Sequence, residues 1–138
     1  MDYHQLMLEN HTLFTKHVFH RLAPYALSSG QPRVLEYLAR HDGAVQKDIA
    51  HACMIEPPSV TSVLSRMEKD GLIQRGAREG DRRSQYVTLT AKGKELAQRT
   101  LETFREEEES ALGGLSGDET QTLLRLLEKI NRNLKQTL

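Results

Sequence analysis

Apolar positions mark the elements of this chain. Between Tyr3 and Leu22, the residues Leu6, Leu13, Phe14, Val18 and Leu22 recur mostly three or four positions apart, which gathers them on one face of a helix. Pro24 marks that helix's end. Ser28, with Gln31 three residues later, has the form of a capping box, and Val34, Leu35 and Leu38 then make the buried face of a second helix closed by His41-Asp42-Gly43. Pro32 belongs in a first turn, so this helix starts nearer Ser29 than Ser28. A short third helix runs through Val45, Ile49 and Ala50. Glu56-Pro57-Pro58 opens a fourth, with Val60, Val63, Leu64 and Met67 inward and Gly71 just past its end.

The period then changes. Leu72-Ile73-Gln74-Arg75 and Gln85-Tyr86-Val87-Thr88-Leu89 read as two short strands separated by a polar loop with Gly76, Gly80 and Asp81. Thr90 caps a long helix through Leu96, Leu101, Phe104 and Leu112, which breaks at Gly113-Gly114. Ser116 with Glu119 forms a second capping box. The last helix carries Leu123, Leu124, Leu127, Ile130 and Leu134, a stripe that needs a covering partner. The fold class is mainly α with a small β-hairpin wing: a winged helix-turn-helix over residues 28–89, flanked by helical regions at 1–27 and 90–138.

Composition narrows the function. At 138 residues, 38% hydrophobic, 28% charged and 5% aromatic, the chain suits a single helical unit with a leucine-filled core. No run approaches the ~20 apolar residues of a membrane span, and Met1-Asp2-Tyr3-His4 does not begin a signal peptide. A cytoplasmic protein with no membrane contact is expected. The single cysteine, Cys53, forms no intrachain disulfide and reads as a buried, inert thiol rather than an oxidation sensor.

A formal net charge of zero argues at first against a nucleic-acid partner. Its distribution argues the opposite. Residues 57–94 carry eight basic and four acidic side chains, while residues 95–138 carry six and nine, so the strands and the helix before them form a basic region in an otherwise acidic chain.

In a winged helix-turn-helix the second helix of the pair can enter a major groove. Here it is about Pro57 to Asp70. Pro58, Ser59, Thr61, Ser62, Ser65 and Arg66 are its candidate DNA-facing residues, since small hydroxyls and a guanidinium allow close approach and hydrogen bonds to base edges or phosphates. Taken alone, the same pattern describes an amphipathic helix with solvated Ser and Thr. The hairpin tip, Arg78-Glu79-Gly80-Asp81-Arg82-Arg83, adds arginines able to reach a narrow, negative minor groove. Its alternative is a charged loop that keeps the hairpin edge soluble.

Several blocks occur in order: Pro58-Ser59-Val60-Thr61, Lys69-Asp70-Gly71-Leu72-Ile73-Gln74-Arg75, Asp81-Arg82-Arg83 and Leu89-Thr90-Ala91-Lys92-Gly93-Lys94-Glu95-Leu96. They resemble the MarR (multiple antibiotic resistance regulator) family over most of the chain. The resemblance implies that Asp81 and Arg83 are the wing's paired acid and base, that Arg83 enters the minor groove, and that Arg82 assists at phosphates. It implies a homodimer, with the N-terminal helix and the last two helices intertwined with a second subunit. Such a dimer recognises a pseudo-palindrome in double-stranded DNA with half-sites roughly 10 bp apart and represses by blocking polymerase.

Family resemblance also implies a small-molecule effector between the two regions. His11, Phe14, His17 and Arg21 are its candidate lining residues, with interface or core packing as their commonplace role. No particular ligand is specified. His17 and His20, three apart, lack an acidic neighbour to complete a metal set, the Glu106 to Glu109 run reads as a solvated helix face, and no nucleophile motif or phosphate-binding glycine loop is present. Neither cofactor, metal nor enzymatic activity is expected. The competing function is a winged-helix protein-interaction module without DNA binding.

Overall fold

A computed structural model describes residues 1–138. In chain order the elements are α1 (Tyr3–Leu22), a single 3₁₀ turn (Ala23–Tyr25), α2 (Gln31–Arg40), β1 (Ala44–Val45), α3 (Gln46–Ala52), α4 (Pro57–Lys69), β2 (Ile73–Arg78), β3 (Asp81–Leu89), α5 (Ala91–Ala111) and α6 (Gly117–Gln136).

Local chemistry accounts for most boundaries. The Asp2 side chain accepts the Gln5 N–H at 2.9 Å while the Gln5 side chain accepts the Asp2 N–H at 3.2 Å, a reciprocal cap that starts α1. Ser116 and Glu119 repeat the arrangement for α6. Thr90 caps α5 by accepting the Gly93 N–H at 3.0 Å and donates its own hydroxyl to the Gly71 carbonyl at 2.6 Å, tying the helix to the end of α4. Gly93 is required for space: a Cβ there would collide with the Leu72 carbonyl oxygen.

Two starts differ from the sequence expectation. α2 begins at Gln31, not near Ser29, and its N-cap is Gly30 at φ +89°. Only half a capping box forms, because buried Gln31 accepts the Ser28 N–H at 3.2 Å and no Ser28 side-chain bond returns. Pro32 takes the second helical position, where its missing N–H does no harm. Val45 belongs to a two-residue strand that precedes α3.

That strand makes the wing three-stranded, in the order β1-β3-β2 and antiparallel throughout, rather than a simple hairpin. Ala44 and Val45 pair with Val87 and Tyr86. Strand pairing also extends toward the tip, with Arg78 opposite Asp81, so most of the anticipated polar loop is ribbon and Glu79-Gly80 is the turn.

Fourteen side chains form the main core, and thirteen of them lie between Val34 and Leu89, with Ala97 of α5 the fourteenth. Val34, Leu35 and Leu38 of α2 meet Ile49 of α3, Val60, Leu64 and Met67 of α4, and Ile73 and Val87 of the sheet. None of the fourteen is aromatic, as the composition implied. Outside this core α1 packs on α5 through Phe14 and Phe104, stacked at 6.3 Å, and through Arg21, which pairs with Glu106 at 2.6 Å and Glu107 at 3.4 Å. The Glu106 to Glu109 run is therefore not merely a solvated face. No residue of α6 is buried, and no helix is long and apolar enough to cross a membrane.

Candidate DNA interface

Helix α4 follows the alternation read from its sequence. Val60, Leu64 and Met67 are buried, Val63 is half-buried, and Pro58, Ser59, Thr61, Ser62, Ser65 and Arg66 are exposed. With Pro57 and Pro58 leading the helix, Ser59 is its first residue with an N–H, so the anion-attracting end of the helix dipole is presented largely through that one group.

The exposed polar groups are not equally available. Thr61 donates to the Pro57 carbonyl at 3.1 Å and accepts from Gln46 Nε2 at 2.9 Å, which fixes α3 against α4. Ser62 turns back toward the Pro58 carbonyl at 3.4 Å, a long contact for a hydroxyl. Ser65 accepts from Arg75 at 3.2 Å, and the same guanidinium pairs with Glu68, whose carboxyl it holds below the usual range. Arg66 uses Nε on Asp70 at 3.2 Å, which leaves its two terminal nitrogens without a partner on an exposed side chain. Among the six candidate DNA-facing residues, Ser59 and Arg66 are the readiest donors.

On the wing, Asp81 is the organising group. Its Oδ2 accepts the Tyr86 hydroxyl at 2.9 Å, and Oδ1 accepts the N–H groups of Arg83 at 3.1 Å and Ser84 at 3.2 Å. The Tyr86 bond, followed by those two backbone bonds, pulls the Asp81 carboxyl below its ordinary value. The expected acid–base pair with Arg83 is therefore made through the Arg83 backbone, not its guanidinium. The reason is geometric: at the start of β3, just past the turn, the residues two and three positions beyond the carboxylate direct their N–H groups at it. Arg82 and Arg83 remain exposed, with no side-chain hydrogen bond or ion pair. Arg78 is engaged within the protein, donating to the Gly43 carbonyl at 3.1 Å.

The fold brings Thr61 and Arg83 to one groove of about 900 Å³, where Gln46, Lys47, His51 and Gln85 join them. The α3 residues were missed in the sequence because a seven-residue helix has too short a polar face to display a pattern.

Between α1, the start of α2 and α5 lies a cavity of about 400 Å³. His11 and Phe14 line it together with Arg33, Glu36 and Phe104. His17 and Arg21, also read as candidates, do not: Arg21 is held by Glu106 and Glu107. Burial pushes the Glu36 carboxyl up, and Arg40 opposes that shift. Cys53 is buried, donates to the Arg33 carbonyl at 3.4 Å, and has its thiol pushed up to about 11 by burial.

A helix-turn-helix with a basic three-stranded wing defines a winged-helix DNA-binding protein. Residues 27–85 match the model of the MarR family. The chain is 32% identical over 103 residues to the homoprotocatechuate degradative operon repressor of Escherichia coli, covering 75% of this chain and 70% of that protein. The structure of MepR from S. aureus in complex with DNA superposes with a TM-score of 0.86 at 27% identity, covering 97% of this chain and 99% of MepR. A MarR family regulator from Listeria monocytogenes, complexed with 26mer DNA, shares the fold at a TM-score of 0.92 and 18% identity, over 99% of this chain and 91% of that one. The chain belongs to the MarR family of DNA-binding transcriptional regulators, which is not a family of enzymes.

Proposed function

We propose that this protein is a repressor that occupies a pseudo-palindromic operator as a homodimer, reading each half-site with α4 in the major groove and the wing in the minor groove. The observation that carries the reading is the pair of unpartnered guanidinium groups of Arg82 and Arg83 on a wing whose Arg83 shares a groove with α4. Unpaired arginines on a projecting ribbon suit a narrow, negative groove, and Ser59 and Arg66 supply donors for base edges or phosphates. Residues 28–89 form the reading module. Residues 1–27 and 90–138 form the dimerisation region, supported by the absence of any buried side chain on α6.

A small-molecule effector at the α1–α2–α5 cavity would act by binding one spacing of the two reading modules more tightly than another. His11 and Phe14 are the candidates retained there. The E. coli relative is a repressor of a degradative operon by name, which supports repression as the mode here.

Selection of bound sequences from a random duplex library by the full chain, followed by affinity at several salt concentrations, tests the proposal. A palindromic site with a steep salt slope supports a dimeric DNA reader. Failure to enrich any sequence, with salt-independent association, would instead favour protein contact.

A further inference from the structure

Arg78 differs from the other arginines of the wing tip. It is the last residue of β2, and its guanidinium lies 4.2 Å from the centroid of the Tyr86 ring while donating to the Gly43 carbonyl in the turn between α2 and β1. Gly43 has φ +82°, and a methyl group there would collide with Arg78 Nη2. The turn's glycine thus provides both a left-handed backbone and room for the guanidinium.

Beyond the ring, the Tyr86 hydroxyl holds Asp81, and Asp81 holds the backbone N–H groups of Arg83 and Ser84. An unbroken set of contacts therefore runs from the α2–β1 turn through Arg78, Tyr86 and Asp81 to the segment that carries Arg82 and Arg83. Asp42 adds a second tie from the same turn, accepting the Leu89 N–H at 2.8 Å at the base of β3. The ribbon needs such ties. Its register shifts between Gly76 and Arg78, and a two-stranded ribbon projecting from a core is marginal by itself.

We propose that Arg78 is a positioning residue for DNA binding: together with Tyr86 it sets the direction in which Arg82 and Arg83 are presented, and it does not itself touch DNA. Arg78 already commits Nη2 to a carbonyl and its plane to an aromatic face, so swinging its guanidinium out to a phosphate would cost both contacts. The role rests on the assignment of Arg82 and Arg83 to DNA.

A double-mutant cycle in the full chain tests it, with the best duplex from the selection as probe and low salt to keep weak complexes measurable. Arg78→Met retains the aliphatic length and removes the strut, and should weaken binding about tenfold. In the Arg82→Ala/Arg83→Ala background the same substitution should do almost nothing, because it acts through those two side chains. In the DNA-free protein, amide exchange across residues 79–84 should accelerate in Arg78→Met, with thermal unfolding nearly unchanged. Tyr86→Phe keeps the ring and loses the Asp81 bond, so its effect should be smaller. Losses that add in full across the cycle would make Arg78 a direct DNA contact and overturn the proposal. So would unaltered affinity and exchange in Arg78→Met. Should Arg82→Ala/Arg83→Ala alone leave affinity intact, the wing assignment itself is wrong and the positioning role goes with it.

Discussion

Replacing Leu124 and Leu134 with serine tests whether α6 is a dimerisation surface. In the single chain these side chains are 45% and 52% exposed, and nothing on α6 is buried. Complete burial of a leucine stabilises by about 2 kcal/mol, so covering the exposed half contributes about 1 kcal/mol. A two-fold dimer uses each position twice. Four half-covered leucines then amount to about 4 kcal/mol, or roughly a thousandfold in the dimer dissociation constant. Sedimentation equilibrium over a range of protein concentrations reads that constant directly, and circular dichroism reports whether the helices persist. The expected result is a chain that stays helical but dissociates at concentrations where the parent, on the proposed dimer, remains associated, with weaker operator binding because a monomer would span one half-site. Helicity should persist because the fourteen-residue core contains no α6 side chain. An unchanged dissociation constant would refute the reasoning by removing these two leucines from the interface. Loss of helix in the monomer would refute it differently, by showing that α6 supports its own protomer.

Three further outcomes are expected. Arg83→Ala removes two guanidinium groups from the proposed dimer and should weaken operator binding about a hundredfold while lowering the salt slope by roughly 2; unaltered association with unaltered DNA affinity would transfer the winged helix to a protein-contact role. Gly93→Ala drives a methyl group into the Leu72 carbonyl and should destabilise the fold by about 1–3 kcal/mol, read as a lower denaturant midpoint; a midpoint equal to the parent's would show that α5 can shift away. Burial raises the Cys53 thiol from 9.0 to about 11, so its stabilising contribution is fully present below pH 9 and is lost as pH rises toward 11. Cys53→Ala should therefore flatten the alkaline decline in stability, and the parent thiol should resist thiol reagents at neutral pH; a reactive thiol in the folded protein would contradict that placement.

Much of this architecture could be read from period and punctuation. Three-to-four spacing along α1, α4 and α5, the Thr90 and Ser116 caps, and Gly71 at φ +78° are decided by interactions within a few residues, so they survive in one dimension. The exposed face of α4 was legible for the same reason. β1 was not: two residues have no period, and Ala44 and Val45 become a strand only because Val87 and Tyr86 lie beside them.

The sequence by itself determined the helices, the Thr90 and Ser116 caps, the basic middle segment and the identity of the DNA-facing candidates, because each follows from local propensity, side-chain period or charge count. Tertiary structure alone decided which of those candidates are free to bind. Arg78, Arg82 and Arg83 are equivalent as letters, yet the Arg78 guanidinium meets a carbonyl 35 positions away and those of the other two have no hydrogen bond or ion pair within the protein. Thr61 and Ser65 look like exposed hydroxyls until Gln46 and Arg75 arrive from other elements. A hydrogen bond depends on distance and direction in space, and residues far apart in the chain acquire both only when the core assembles.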